Sequence, residues 1–220
     1  YNMWITPCLS PESYMTTPSE KLRDAWLKAL LPLVPDGGWT AELAVKAAND
    51  AELSKGEQSL AAPNGVADLI DHFFDRAGDV MLETLITQDL NALRTHERVA
   101  SGLRAWLDAL DPNKEAVRKA ANLGLLPWGA GAAARRVWRV ADTVWEAAGD
   151  TATDYNRQTK RALLSAVIPS VVMKWLDTSN QVEVDQHIET RLKQAMDIGQ
   201  AGSKMLKPVL EAFEALKGKV

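Results

Sequence analysis

A chain of 220 residues with 46% hydrophobic and 25% charged side chains has the balance of a globular protein, long enough for one good core or two small lobes. Its formal net charge of -4 argues against a broad electrostatic attraction to nucleic acid, whose phosphates must be met by Lys and Arg. A single cysteine, Cys8, excludes an intrachain disulfide and a cysteine-cluster zinc site, and no run of about eighteen apolar residues is present to span a bilayer as a helix.

Residues 1–17 hold Trp4, Pro7, Cys8 and Pro11 without periodicity. Tyr1 to Tyr14, which precede Met15, are read as an upstream segment and set aside from fold reasoning. From Pro18 onward nearly every segment has helical period and strand signals are lacking, so the expected fold is all-α. A first helix is predicted over Ser19 to Leu33, with Leu22, Trp26, Leu30 and Leu33 on one face, closed by Pro35 to Gly38. A second begins at Thr40, an N-cap, and turns Leu43, Ala44, Ala47 and Ala48 inward; a short third lies near Lys55 to Leu60. The break from Ala62 to Gly65 precedes a long helix from Val66 to Gln88, with Leu69, Ile70, Phe73, Phe74, Val80, Met81 and Leu85 as its apolar positions. Helices over Leu93 to Leu110, Asn113 to Leu125, Ala130 to Ala148, Asp154 to Thr178 and Val182 to Gly199 complete a bundle. Its interruptions fall at Asp111-Pro112, Leu126-Pro127, Gly149-Asp150 and Asn180. The organisation expected is a small head over residues 18–65, a bundle over 66–200 and a separate helix over 201–220.

Within the bundle, the stretch from Trp138 to Asn156 keeps tryptophans and acids where an ordinary helical hairpin needs neither. Trp145 stands beside Glu146 and three residues after Asp142; Gly149 ends the helix, and Asp154 can cap the next. Asp150 and Asp154 fit helix-terminus caps better than an acid–base pair. Trp106, Trp128, Trp138 and Trp175 read as core residues. The small residues from Gly129 to Ala134 either line a cavity or mark close helix packing.

Glu183, Asp185, His187 and Glu189 alternate as if to bind a metal, but on a helix only Glu183 and His187 share a face. The Glu-x-x-His pairs of a di-iron bundle, a phosphate loop, a nucleophile elbow and a zinc pattern are all missing from the sequence. No catalytic residue, metal ligand or cofactor is therefore assigned. The C-terminal helix is amphipathic, with Leu206, Val209, Leu210, Phe213 and Leu216 on one face and lysines towards its ends. It can lie in a membrane interface or dock on its own bundle.

The order of a helix, Gly38-Trp39-Thr40, a short helix-turn-helix and a long connecting helix into a bundle resembles the TetR family of regulators. The resemblance is architectural, and the reading head is degenerate. Between Asp36 and Asp75 eight acids face only Lys46 and Lys55, six surplus negative charges where a recognition helix must approach phosphates. The turn after the second helix also lacks the expected Gly. A ligand-responsive TetR-type regulator is kept as the alternative reading.

Four segments in order carry a more specific resemblance: Gly38-Trp39-Thr40; Pro63-Asn64-Gly65 leading to Asp68-Leu69-Ile70; Trp145 to Arg161; and Trp175 to Ser179. Through them the chain, from about Gly38 to Gln200, resembles the ubiquinone biosynthesis accessory family, lipid-binding proteins with a TetR-like fold. The resemblance implies a homodimeric, non-enzymatic bundle that holds an isoprenoid or other lipid and presents a prenylated quinone intermediate to a hydroxylase of the pathway. It implies a surface patch for lipid or partner contact at Asp142 and Trp145, extended here through Glu146, Gly149, Asp150, Asp154 and Arg161. Trp145 is expected to be partly exposed and to mark the mouth of a hollow for the prenyl tail. Glu146 and Arg157-Gln158 depart from the aromatic residues that relatives often place there. With the family's tail in mind, the C-terminal helix is expected at the membrane. The implied location is the bacterial cytoplasm, peripheral to the inner membrane, or the mitochondrial matrix side.

Overall fold

A computed structural model describes residues 17–125, 129–150 and 155–217, with side chains described over 17–125, 129–150 and 157–199. The described residues form helices and connecting turns with no strand, as the periodicity predicts. Contacts divide the chain into two compact units that meet within one helix, the first ending at His72 and the second beginning at Phe73.

In the first unit, α1 (Pro18–Leu30) starts at a capping box in which Thr17 accepts from the Glu20 N–H and Glu20 accepts from the Thr17 N–H. Leu31 to Leu33 tighten into a 3-10 turn, and Val34 to Gly37 make one further turn, α2. The single helix predicted over Ser19 to Leu33 is thus two pieces, and a further turn follows where the sequence was read as the closing segment. Gly38 ends α2 at a φ of 73°, Trp39 is buried, and Thr40 caps α3 (Ala41–Asp50), which gives each residue of that motif a local role. Trp26 of α1 donates its indole N–H to the Ala44 carbonyl of α3 at 2.8 Å. A second capping box, Ser54 with Glu57, opens α4 (Lys55–Ala61). The α3–α4 turn carries Glu52 at a φ of 56°, so the left-handed position usually given to glycine is filled by an L residue.

Helix α5 (Val66–Ile86) begins where Gly65, at a φ of 62°, turns the chain and Asp68 accepts from both the backbone and side-chain nitrogens of Asn64. Its first two turns belong to the head: Leu69, Ile70 and His72 are buried, and His72 Nε2 lies 2.7 Å from Asp24 of α1. The rest buries Phe73, Ala77, Met81 and Leu85 on one stripe, whereas Val80, expected on that stripe, is 42% exposed. One residue from Met81 is about 100° round the helix, enough to turn Val80 out.

The second unit packs α6 (Thr95–Leu110), α7 (Lys114–Gly124), α8 (Ala130–Ala147), α9 (Tyr155–Asp177) and α10 (Gln181–Lys217), with α9 in contact with both α8 and α10. Leu103, Trp106 and Leu110 of α6, Val140, Ala141 and Val144 of α8, Ile168, Val171 and Trp175 of α9 and Ile188 of α10 make its core. Trp106 and Trp175 are buried as expected; Trp138, expected in the core, is 38% exposed on the flank of the Val140–Val144 stripe, and Trp128 lies outside the described residues. The Trp175 segment closes α9: Lys114 sits 4.9 Å above the Trp175 ring and donates to the Thr178 carbonyl, while Arg118 donates to that of Leu176. Cations at the last carbonyls of a helix meet the negative end of its dipole.

One open alternative is decided here and one expectation is corrected. The run from Gly129 to Ala134 serves close packing: a Cβ on Gly129 would fall 2.0 Å from the Leu123 carbonyl oxygen, and one on Gly124 would fall 3.0 Å from the Ala133 Cβ. The C-terminal helix is not a separate element, because α10 is continuous from Gln181 to Lys217. Gly199 does not stop it; a Cβ there would lie 2.9 Å from the Leu163 Cδ1, so the glycine lets α10 approach α9. The side chains of Leu206, Val209, Leu210, Phe213 and Leu216 lie outside the described ones.

Candidate functional site: an ion-pair seam beside an open cleft

Carboxylates one turn apart on α8 face basic residues one turn apart on α9, and the pairing zips the two helices where the chain reverses. Asp142 accepts from Arg157 at 3.1 Å and from Arg161 Nε; Glu146 accepts from Arg157 at 3.2 Å. Asp150 accepts from Lys160 at 2.6 Å and from Arg161 at 2.8 Å. Arg161 and Asp150 are sealed, with side chains only 2% and 4% exposed. Burial pulls the Arg161 pKa down, but its bonds to Asp142 and Asp150 outweigh that and leave it raised. For Asp142, burial pushes the carboxyl up, and the hydrogen bonds from Arg161 and Arg157 reverse the sign and hold it below the usual range. The unit is a satisfied network.

Trp145 belongs to this seam. Its indole N–H donates to the Lys160 carbonyl at 3.1 Å, and the Lys160 ammonium lies 5.2 Å from the ring centroid. Gly149 ends α8 at a φ of 81°, accounting for the glycine. Thus Asp142, Trp145, Glu146, Asp150 and Arg161 do come together, while Asp154 lies outside the described residues. Asp142 and Trp145 are half-buried and Glu146 is exposed, whereas the Arg161 and Asp150 side chains beneath them are buried. Asp150 is an ion-pair acceptor, a role that the cap reading overlooked.

Beside the seam, α5, α6 and α8 enclose an open cleft of about 310 Å³. Phe74, Met81, Leu82, Trp106 and Val140 supply apolar wall, and Asp75, Asp79, Asp142, Glu146, Arg136 and Arg139 supply charge. Each carboxylate takes an arginine: Asp75 pairs with Arg139 at 3.1 Å, Asp79 with Arg76 at 3.0 Å, and Asp142 and Glu146 with Arg157. Gly78 of α5 also borders the cleft, and a Cβ built there meets nothing within 4 Å. Asp142 and Glu146 belong to both seam and cleft, while Trp145, part-exposed as expected, does not line the cleft. The volume stands at the lower end of ligand pockets, sized for a compact head group and not for a whole polyprenyl tail.

Sequence reasoning missed the pairing roles of Arg157, treated only as a departure from an aromatic pattern, and of Lys160, which was given no role. Acids at 142 and 146 followed across a turn by bases at 157 and 161 is an i, i+4 signal on both helices, legible in hindsight. The alternating Glu183, Asp185, His187 and Glu189 have protein partners instead of a metal. Arg104 takes Asp185 at 2.7 Å and Glu189 at 2.9 Å, Lys174 takes Glu183, and His187 meets the Ser170 hydroxyl at 2.9 Å.

The profile of the COQ9 family matches residues 130–199, the span from α8 through the first half of α10 that contains the seam. The chain is 27% identical over 203 residues to the human protein named ubiquinone biosynthesis protein COQ9, mitochondrial, covering 88% of this chain and 63% of that one. It is likewise 27% identical over 206 residues to COQ9-B of Xenopus laevis, covering 90% of this chain and 69% of that protein. The chain therefore spans just under two thirds of the length of the human relative. Among solved structures, a TetR transcriptional regulator from Nitrosomonas europaea superposes with a TM-score of 0.63 at 24% identity, over 80% of this chain and 98% of that one.

Proposed function

We propose that this chain, which is similar to COQ9 proteins and has a TetR-like fold, is a non-catalytic accessory of ubiquinone biosynthesis that binds a prenylated quinone intermediate and presents it to a membrane-associated hydroxylase. The observation that carries the reading is the cleft of about 310 Å³ between α5, α6 and α8, lined by Phe74, Met81, Leu82, Trp106 and Val140 together with carboxylates that arginines engage. A ring-sized head enters it; the polyprenyl tail stays outside, in lipid. This replaces the expectation of a hollow that swallows the tail. The bound lipid is the ligand, and no cofactor is assigned.

Peripheral membrane contact is part of the proposal, with the Leu206, Val209, Leu210, Phe213 and Leu216 face of the C-terminal helix as the contact, at a bacterial or mitochondrial inner membrane. Among the described residues no helix is long and apolar enough to cross a membrane. The working unit is proposed to be a homodimer. The stretch from Asp36 to Asp75, with six surplus negative charges, disfavours phosphate contact and supports the accessory role over DNA binding.

Reconstitution tests the reading. Vesicles carrying prenylated substrate, the hydroxylase and this protein are expected to turn over faster than vesicles without it. A Gly78→Leu variant, which fills open cleft space and replaces a weak helix residue by a strong one, is expected to fold and to lose the stimulation. Unchanged turnover with or without the protein, or full stimulation by Gly78→Leu, overturns it.

A further inference from the structure

Trp106 of α6 lines the cleft and is 3% exposed, yet its indole N–H has no hydrogen-bond acceptor among the described residues. A buried donor left unmade forfeits its full hydration, about 1–3 kcal/mol, so native proteins nearly always supply a partner. The other described side-chain atoms in that condition, Arg23 Nε and Ser165 Oγ, belong to residues that do not line the cleft. The nearby cleft wall offers Trp106 nothing to donate to: Phe74 is an aromatic neighbour with ring centroids 6.2 Å apart, and Met81 and Val140 are apolar.

The charges around the cleft narrow the ligand class. All four lining carboxylates are engaged by arginines, so a cationic ligand would have to break an ion pair to be recognised. An anionic ligand would meet those same carboxylates at the rim. What is left is an unpartnered neutral donor on an indole beside the Phe74 ring, which suits a flat neutral ring bearing an acceptor oxygen.

We infer that Trp106 is the specificity-determining donor of the cleft, giving its indole N–H to a ring oxygen of a neutral quinone and so separating oxygenated prenyl rings from bare isoprenoid hydrocarbon. This rests on the lipid-presenting reading above and adds the atom that selects the head. A buried hydrogen bond of ordinary strength corresponds to a preference of about tenfold.

The test compares 1,4-benzoquinone carrying one isoprene unit with prenylbenzene, the same shape without the carbonyls. Calorimetry on the wild-type chain is expected to give about tenfold tighter binding of the quinone, and Trp106→Phe, with melting checked, is expected to reduce that ratio to near one. Indole ¹H–¹⁵N spectra of the wild type give an independent readout: the Trp106 resonance, identified by its loss in Trp106→Phe, is expected to move downfield with the quinone and not with prenylbenzene. A ratio that persists in the variant, or a Trp106 resonance unmoved by bound quinone, overturns the inference while leaving the lipid reading standing. Failure of both probes to bind the wild type, or equal binding by Gly78→Leu, strikes down the lipid reading and this inference together.

Discussion

Replacing Asp150 by alanine removes one of the two carboxylates that neutralise Arg161, a guanidinium whose side chain is 2% exposed. Breaking a buried pair by deleting one partner costs about 3–5 kcal/mol, because the remaining charge stays desolvated. Arg161 keeps Asp142, so the lower end applies, about 3 kcal/mol. For a chain of this size each kcal/mol shifts the midpoint by about 2–4 °C, which puts the expected loss at about 6–12 °C in a thermal melt followed by circular dichroism. The double variant Asp150→Ala with Arg161→Met is expected to recover most of that loss, since the uncompensated charge is gone and the methionine still packs. A single variant costing under about 1 kcal/mol, or a double variant as unstable as two independent losses, would refute the claim that the seam holds α8 to α9 through buried charge.

Three further outcomes follow from separate features. Gly129→Ala is expected to destabilise by about 1–3 kcal/mol in urea unfolding, because its Cβ would fall 2.0 Å from the Leu123 carbonyl oxygen and backbone must move. Glu52→Gly is expected to stabilise the head by about 0.5–1 kcal/mol, relieving an L residue at a φ of 56°; an unchanged or lower midpoint counts against that strain. His187 has its pKa lowered from 6.5, by burial first and then by Arg191, with Lys174 adding to the effect and the Ser170 hydrogen bond opposing it. The unfolded chain therefore binds more protons between the native pKa and 6.5, so this residue's contribution is complete above 6.5 and falls as pH drops through that window. Titrating stability against pH in the wild type and in His187→Gln checks this, the variant lacking that component of the slope.

The parts of the fold written in local chemistry were legible. Thr40 and Ser54 cap the helices their sequence announces, Val66 opens the long helix after Gly65, and α6 to α9 lie within two residues of their predicted bounds. Misreadings arose where packing overrode the local signal. Gly199 resembles a helix stop in sequence, but its missing side chain admits Leu163 and the helix runs on. The charges beside Trp145 belong to the pairing between α8 and α9, and its indole is held against Lys160, a partner that spacing along one helix does not reveal. The cleft depends on α5, α6 and α8 meeting, and nothing in one-dimensional spacing indicates that Phe74, Trp106 and Val140 share a wall. Asp142, Trp145, Glu146, Asp150 and Arg161 come together, but the burial of Asp150 with Arg161 was not legible, because it depends on a partner eleven positions away on the next helix.

The central claim is that the cleft beside the seam receives a prenylated quinone head. Native mass spectrometry, with identification of lipids extracted from the chain purified without detergent, tests it most directly. The account predicts a neutral prenylated ring bound to the wild type in near-stoichiometric amount and absent from Gly78→Leu. Wild-type protein that carries no such molecule, or a Gly78→Leu variant that carries as much of it, contradicts the claim.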